Sequence, residues 1–395
     1  MAEIAIMNMK GIALATSRKE QSARSNLFQL SNHHPVGIMV YGKPNYLRVP
    51  WEIFIKIYRD QLEEKHFTTL EQYVADFLSF IDNSNYADFQ NEEAEAQFAY
   101  DALNNEVKIL AADLSQIKRE LATHSKDDIT TEYQQHAEAL ITDRLNVLEK
   151  DYINAFADSD FRIMTKKFDE SIDQMMDTHF EESLLNKSWR GKIKTIVCSN
   201  VLKNFTNYSR LVFAGFGENE LFPSVITVMI EGKINGKLKY AASSNLSKSV
   251  NATNPVYIVP LNEASKVDAL TTGIDERMED FSLTSLGTML GSMETKLIDQ
   301  FKTKFKEDID LEAVKEVIHN ELIDVYQTYN QAVFEFKQSE YVQPLTDKLN
   351  NASKEALTEM ATTFSNLNKE IGESTTDVAV ITKGDGFHWA KPKGF

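Results

Sequence analysis

From Trp51 to Arg190 the chain runs for 140 residues without a glycine or a proline. These two residues punctuate most folds, glycine through its backbone freedom and proline through its fixed φ and missing N–H. A stretch this long without either predicts helices rather than short strands and tight turns. The whole chain is similarly sparse, with 15 Gly and 8 Pro in 395 residues, where average usage gives about 28 and 20. A propeller or an all-β sandwich, both rich in turns, is excluded for the chain as a whole.

Two apolar series inside the stretch sharpen the expectation. Leu103, Val107, Leu110, Leu114, Ile117 and Leu121 alternate spacings of four and three, and so do Ile141, Leu145, Leu148, Tyr152 and Ala155. Both are heptad seams. His124-Ser125-Lys126-Asp127-Asp128 separates them, with Asp127 or Asp128 placed to cap the second helix. The spacing predicts an antiparallel hairpin over about 97–158, with arms roughly 35–40 Å long. Its seams either pack back on the core or meet a partner.

The sequence holds 42 Lys+Arg against 59 Asp+Glu, a net charge of −17. Residues 61–190 carry 12 basic and 28 acidic side chains, whereas 191–260 carry 8 basic and 3 acidic. An acidic chain is a poor match for nucleic acid, which needs a basic face. The acidic helical layer predicts a basic protein partner, with binding weakened by salt. The single cysteine, Cys198, excludes a disulfide framework. No apolar run approaches the roughly 18 residues of a membrane span, and the first twenty residues do not read as a secretory signal. The expected compartment is the cytoplasm, with no membrane partner.

Either side of the long stretch the pattern turns to β. Glu3–Met7 and Ile12–Ala15 read as a hairpin across Asn8, Lys10 and Gly11, and Asn26–Leu30 with Pro35–Tyr41 as a second pair. Tyr208–Gly215, Ser224–Glu231 and Lys237–Ala241 are further strands, the last two joined by a turn over Gly232–Gly236. Ser243–Asn254 reads as a loop. Residues 262–369 are mainly helical, with Gly287 and Gly291 as a candidate break. Thr376–Thr382 and Phe387–Ala390 close the chain as a hairpin across Lys383-Gly384-Asp385-Gly386. Hairpins alternating with helical blocks predict an α+β fold with antiparallel sheets, not a doubly wound parallel sheet.

The β segments carry a resemblance. EIAIMNMKGIALATS resembles the opening hairpin of proteasome β-subunits and of the bacterial HslV peptidase, members of the N-terminal-nucleophile (Ntn) hydrolases. NLFQLSNHHPVGIMVYG is similar to the next two strands of that family, YSRLVFAGFGENELFP to a later one, and DVAVITKGDGFHW to its last hairpin. The resemblance implies a four-layer α-β-β-α sandwich formed by 1–50 and 208–395. Residues 51–207 then form an enlarged helical layer that carries the coiled-coil hairpin.

Family catalysis uses an N-terminal Thr whose own α-amine serves as base, an Asp, a Lys, and a backbone oxyanion donor beside a glycine. On this sequence the nucleophile position falls on Met1, or on Ala2 if Met1 is removed. The Asp position falls on Ser17, the Lys position on Asn26, and the glycine region on Gly42 with Tyr41. Three of the four groups are missing. The resemblance therefore implies a degenerate, non-hydrolytic subunit that acts in assembly, as a homo- or hetero-oligomer with proteasome-like subunits. One alternative is an active peptidase or amidohydrolase using Thr16, Ser17 or Ser22. Another is a binding module presented by the helical hairpin. No cofactor or metal is expected.

Other candidates carry bland readings. His33-His34 are adjacent, and adjacent strand residues point to opposite faces, so they make a poor metal pair and read as loop histidines. Cys198 sits in an apolar run as a small hydrophobe. Gly215-Phe216-Gly217 and Gly384-Asp385-Gly386 lack the remainder of a phosphate-loop motif. Glu92, Glu93 and Glu95 read as a solvated helix face.

Overall fold

A computed structural model describes residues 3–19, 25–83, 92–124, 130–149, 151–154, 156–181, 185–262, 264–304, 310–367 and 374–391. The first elements are β1 (Glu3–Asn8), β2 (Gly11–Lys19), β3 (Leu27–Gln29), β4 (Val36–Gly42), β5 (Asn45–Tyr46) and β6 (Val49–Pro50). Six helices follow: α1 (Trp51–Leu62), α2 (Leu70–Asn83), α3 (Glu92–His124), α4 (Thr130–Asn146), α5 (Asp158–His179) and α6 (Arg190–Lys203). Next come β7 (Ser209–Gly215), β8 (Ser224–Ile234), β9 (Lys237–Ala242), β10 (Lys248–Ser249) and β11 (Val256–Pro260). The chain ends with α7 (Ala264–Thr272), α8 (Glu276–Lys304), α9 (Leu311–Lys337), α10 (Gln343–Asn350), α11 (Lys354–Asn366), β12 (Ser374–Thr382) and β13 (Gly386–Lys391). The fold is mixed α+β with antiparallel sheets, as the alternation of hairpins and helical blocks requires.

Contacts divide the chain into two compact units. The first holds Met1–Leu27, Leu221–Ser224 and Lys248–Phe395; the second holds Phe28–Glu220 and Val225–Ser247. The helices of 51–203 thus fall in one unit with the strands of 28–42 and 209–242.

In the first unit a five-stranded sheet runs β11-β1-β2-β12-β13. The two chain ends meet there: β2 pairs with β12 over nine residues, from Lys19 opposite Ser374 to Gly11 opposite Thr382. Successive strand residues alternate faces. Ile4, Ile6, Ala13, Ala15, Val378 and Val380 pack on one face against Leu357, Ala361 and Phe364 of α11 and Leu349 of α10. The other face, with Ala5, Met7, Leu14 and Ile381, is also fully buried. Asn8 closes the β1–β2 turn: its Oδ1 accepts from the N–H groups of Lys10 and Gly11, at 2.9 and 3.3 Å. Its Nδ2 donates to the carbonyls of Leu349 and Ala352, which ties the turn to the end of α10 and satisfies a buried amide.

In the second unit β8, β7, β4 and β3 lie side by side, and β9 pairs with β8. α1 and α2 cover this sheet through Trp51, Phe54, Tyr73 and Phe77, which meet Ile38, Leu211 and Phe213. A separate apolar cluster is built by α3, α4, α5 and α6. Both heptad seams end in it. Leu103, Val107, Leu110 and Leu114 are buried, with Ile117 and Leu121 packed at the edge. Ile141 is buried and Leu145 partly so, but α4 stops at Asn146. Leu148 sits in a short 3-10 turn over Val147–Glu149 and Tyr152 lies outside any helix, while Ala155 and 125–129 are outside the described residues. The seams pack back, against Met164, Phe168 and Ile172 of α5 and Ile193 and Val197 of α6.

Two local expectations shift. The turn between β8 and β9 is Asn235-Gly236 alone, with φ of +52° and +71°. Asn and Gly accept that left-handed backbone, so β8 runs on to Ile234. Gly287 and Gly291 do not break α8, which continues through both to Lys304.

Candidate functional site

Met1, Ala2 and Ser22 lie outside the described residues. Ser17 lies on β2 opposite Thr376, buried, on the face that carries Ala13 and Ala15. Asn26 is half-buried just before β3. Gly42 ends β4 with φ of +86°, paired with Ser209. Ser17 and Asn26 belong to the first unit and Gly42 to the second.

Thr16 stands in a polar row that sequence reasoning did not assemble. Across the sheet it lies directly opposite Glu3 on β1 and Asp377 on β12. Residues opposite each other in antiparallel pairs share a face, so one buried row reads carboxylate, hydroxyl, carboxylate. Glu3, Thr16 and Asp377 are 2, 1 and 2% exposed. Thr16 Oγ1 makes no hydrogen bond among the described residues. A nucleophilic hydroxyl needs a base within about 3 Å and room for a carbonyl carbon beside it. Thr16 has neither the bond nor the access. Ser17, one residue on, faces the opposite side of the same sheet.

The second unit holds a polar centre that the sequence reading missed. Lys239 on β9 is 1% exposed, yet its Nζ reaches Glu231 Oε2 at 2.5 Å and donates to the Asn204 carbonyl at 2.7 Å. The Phe205 ring lies 5.4 Å from the same nitrogen. Glu231 Oε1 accepts from the backbone N–H groups of Thr206 and Asn207, at 3.0 and 2.8 Å. The cause is a β-bulge. Ile230 pairs with Tyr240 and Gly232 with Lys239, which leaves Glu231 as the extra residue. A bulge re-aims a side chain, and here it turns Glu231 inward onto Lys239. Gly232 completes it: a Cβ there would lie 2.4 Å from the Phe98 ring.

Glu106 on α3 joins this centre, accepting from Asn200 Nδ2 at 3.1 Å and Thr206 Oγ1 at 3.4 Å. Burial pushes its carboxyl above the ordinary 4.5, and bonds from Asn200 and Thr206 with the Lys239 charge pull against that. Burial also lowers the Lys239 ammonium below its ordinary 10.5, opposed by Glu231 and Glu106. A buried lysine of lowered pKa is the raw material of amine catalysis. This one is held by a carboxylate and a carbonyl, and it clamps the β8–β9 hairpin to the residues that follow α6.

The remaining candidates are structural. Cys198 is fully buried, and burial pushes its thiol up to about 11. His34 packs 5.8 Å from His66, whose Nε2 meets Glu218 at 3.0 Å on the surface. Glu95 Oε1 accepts from the Gly236 N–H. A cavity of about 240 Å³ lies beside β11, lined by Tyr257, Ile258, Thr271, Thr272, Leu345 and Leu349 among others, without a charged group. No described helix is long and apolar enough to cross a membrane. No protein-family model matches the chain, and neither a curated protein nor a solved structure does so.

Proposed function

We propose that this chain is a non-hydrolytic, proteasome-like subunit of Ntn-hydrolase-like α-β-β-α architecture that works by assembly and partner binding in the cytoplasm. The observation that carries the reading is the state of the hydroxyls that an active hydrolase would use instead. Thr16 is 1% exposed with Oγ1 bonded to nothing among the described residues, and Ser17 is 4% exposed in the next row of the sheet. Further support comes from the strands that carry the resemblance. The opening and closing hairpins lie in one sheet, β1-β2-β12-β13, and β4 pairs antiparallel with β7 in another. Partners of this reading are like subunits and a basic protein at the acidic helical layer.

The test is exposure of the purified chain to epoxyketone and β-lactone probes and a panel of peptide amides, with mass spectrometry of its mature N-terminus. The expected result is no adduct, no turnover, and a terminus of Met1 or Ala2. A labelled Thr16 would favour an active hydrolase, in which Glu3 and Asp377 supply the carboxylates beside the nucleophile. Thr16→Val gives a second reading. Replacing a buried, unbonded hydroxyl with a methyl of the same shape should leave stability unchanged or raise it by about 1 kcal/mol.

A further inference from the structure

The hairpin α8–α9 has no buried residue on either helix. Its inner register is set by Lys337 on Glu279 at 2.7 Å, His319 on Glu294 at 3.1 Å, and Gly287 beside Tyr326. Yet each helix also exposes a second apolar stripe. On α8, Met278, Phe281, Met289 and Met293 are 57, 66, 69 and 49% exposed. At 3.6 residues per turn they share an arc of about 120°, turned roughly 120° from the side facing α9. On α9, Val325, Tyr329 and Phe336 are exposed along one line at spacings of four and seven. The helices run in opposite directions, so both stripes fall on the same face of the hairpin. A surface of this kind marks an interaction site.

We propose that this face is where two copies of the chain associate, antiparallel, α8 against α8. The inference rests on the assembly role proposed above and names its partner. The α8 stripe is self-complementary, as a two-fold interface requires. With the axis level with Gly287, Phe281 meets Met293 of the second copy and Ser285 meets Met289. Met278 meets the aliphatic stem of Lys296.

Charge agrees with the pairing. Arg277 and Asp299 flank the α8 stripe on the same side, at its two ends. In an antiparallel pair, flanking residues on the same side face each other, so Arg277 of each copy meets Asp299 of the other. Within one chain their side chains are 85 and 66% exposed and, among the described residues, hold only long contacts, Arg277 to Asp275 at 3.4 Å and Asp299 to Lys302 at 3.6 Å.

Sedimentation velocity and light scattering on the full chain at micromolar concentration test this. The wild type should be a dimer. Phe281→Glu with Met289→Glu should give a monomer of unchanged helical circular dichroism, because neither side chain is buried. Arg277→Asp should weaken the dimer about tenfold or more, and Arg277→Asp with Asp299→Arg should restore it. A monomeric wild type, an oligomer that survives the double Glu variant, or a failed rescue by the charge swap would overturn the proposal. Probe labelling of an intact dimer sinks the non-hydrolytic reading alone; an unlabelled monomer sinks this one alone.

Discussion

Two helical regions of this chain follow the same apolar arithmetic and end in opposite circumstances. In α3 and α4 the heptad seams are buried, because α5 and α6 come back over them. In α8 and α9 a comparable spacing yields no buried residue, because among the described residues α8 packs chiefly on α9 and no further pair of helices closes over them. The difference teaches that a 3–4 repeat states which face of a helix is apolar, not what covers it.

Charge separates the regions in the same way. Acids of the first are met by cations from 190–239: Lys194 holds Asp169 at 2.6 Å and Asp173 at 2.8 Å, Arg190 holds Asp173 and Asp177, and Lys192 holds Glu138. Lys237 holds the buried Asp160 at 2.8 Å, and Asp160 in turn accepts from the Ala157 N–H at the start of α5. Arg190 and the basic block 191–260 thus supply counter-charges to the acidic block 61–190 within one unit. The ends of the α8 stripe, at Arg277 and Asp299, keep theirs in solvent.

Four substitutions break or sharpen this contrast. The largest effect belongs to Lys239→Ala, which strands Glu231 as a buried, uncompensated carboxylate. The expected loss is about 3–5 kcal/mol, read by urea unfolding, and Glu231→Gln added to Lys239→Met should recover part of it. A loss below about 1 kcal/mol would mean that the clamp does not hold the hairpin. Next is Leu114→Ala, in the fully buried seam of α3. It should cost about 2–5 kcal/mol in thermal or urea denaturation; a surface-like cost would break the contrast between the two seams.

Glu106, on the same helix, adds a pH signature. Its folded pKa is raised above 4.5, so folding favours the protonated form. Its contribution is intact below 4.5 and is lost as pH rises through the raised value. Glu106→Gln, neutral throughout, should flatten that fall; identical wild-type and variant profiles from pH 4 upward would refute the assignment. The smallest effect belongs to Met289→Ala on the α8 stripe. On a chain held monomeric by dilution it should change stability by no more than about 0.5 kcal/mol, and a larger loss would show that the stripe is covered within the chain.

Much of the fold was legible because period-2 alternation and turn chemistry are local. The hairpins β1–β2 and β12–β13, and strands β4 and β7, follow directly from runs such as EIAIMN and DVAVIT. The Asn235-Gly236 turn was readable too, although its boundary moved because only those two residues need a positive φ. Gly287 and Gly291 misled. A helical glycine costs about 1 kcal/mol against alanine, which contacts along a 29-residue helix can absorb. Tyr152 continued a heptad on paper but lies beyond the end of α4. The polar centres were not legible. KLKYAA reads as a strand, and only the bulge at Glu231 and the arrival of Asn204 explain why Lys239 points inward. The row of Glu3, Thr16 and Asp377 joins residues 361 positions apart, through a pairing of the two chain ends that periodicity cannot express.

By itself the sequence determined most of the secondary structure, the antiparallel hairpins, and the acidity of the helical layer. Each of these follows from local composition and spacing. Tertiary structure decided which apolar faces are covered, which charges meet, and that Thr16 lies sealed between two carboxylates. Burial and ion pairing depend on what arrives from elsewhere in the chain, and α5 and α6 arrive over one pair of helices while the other pair keeps its outer face in water.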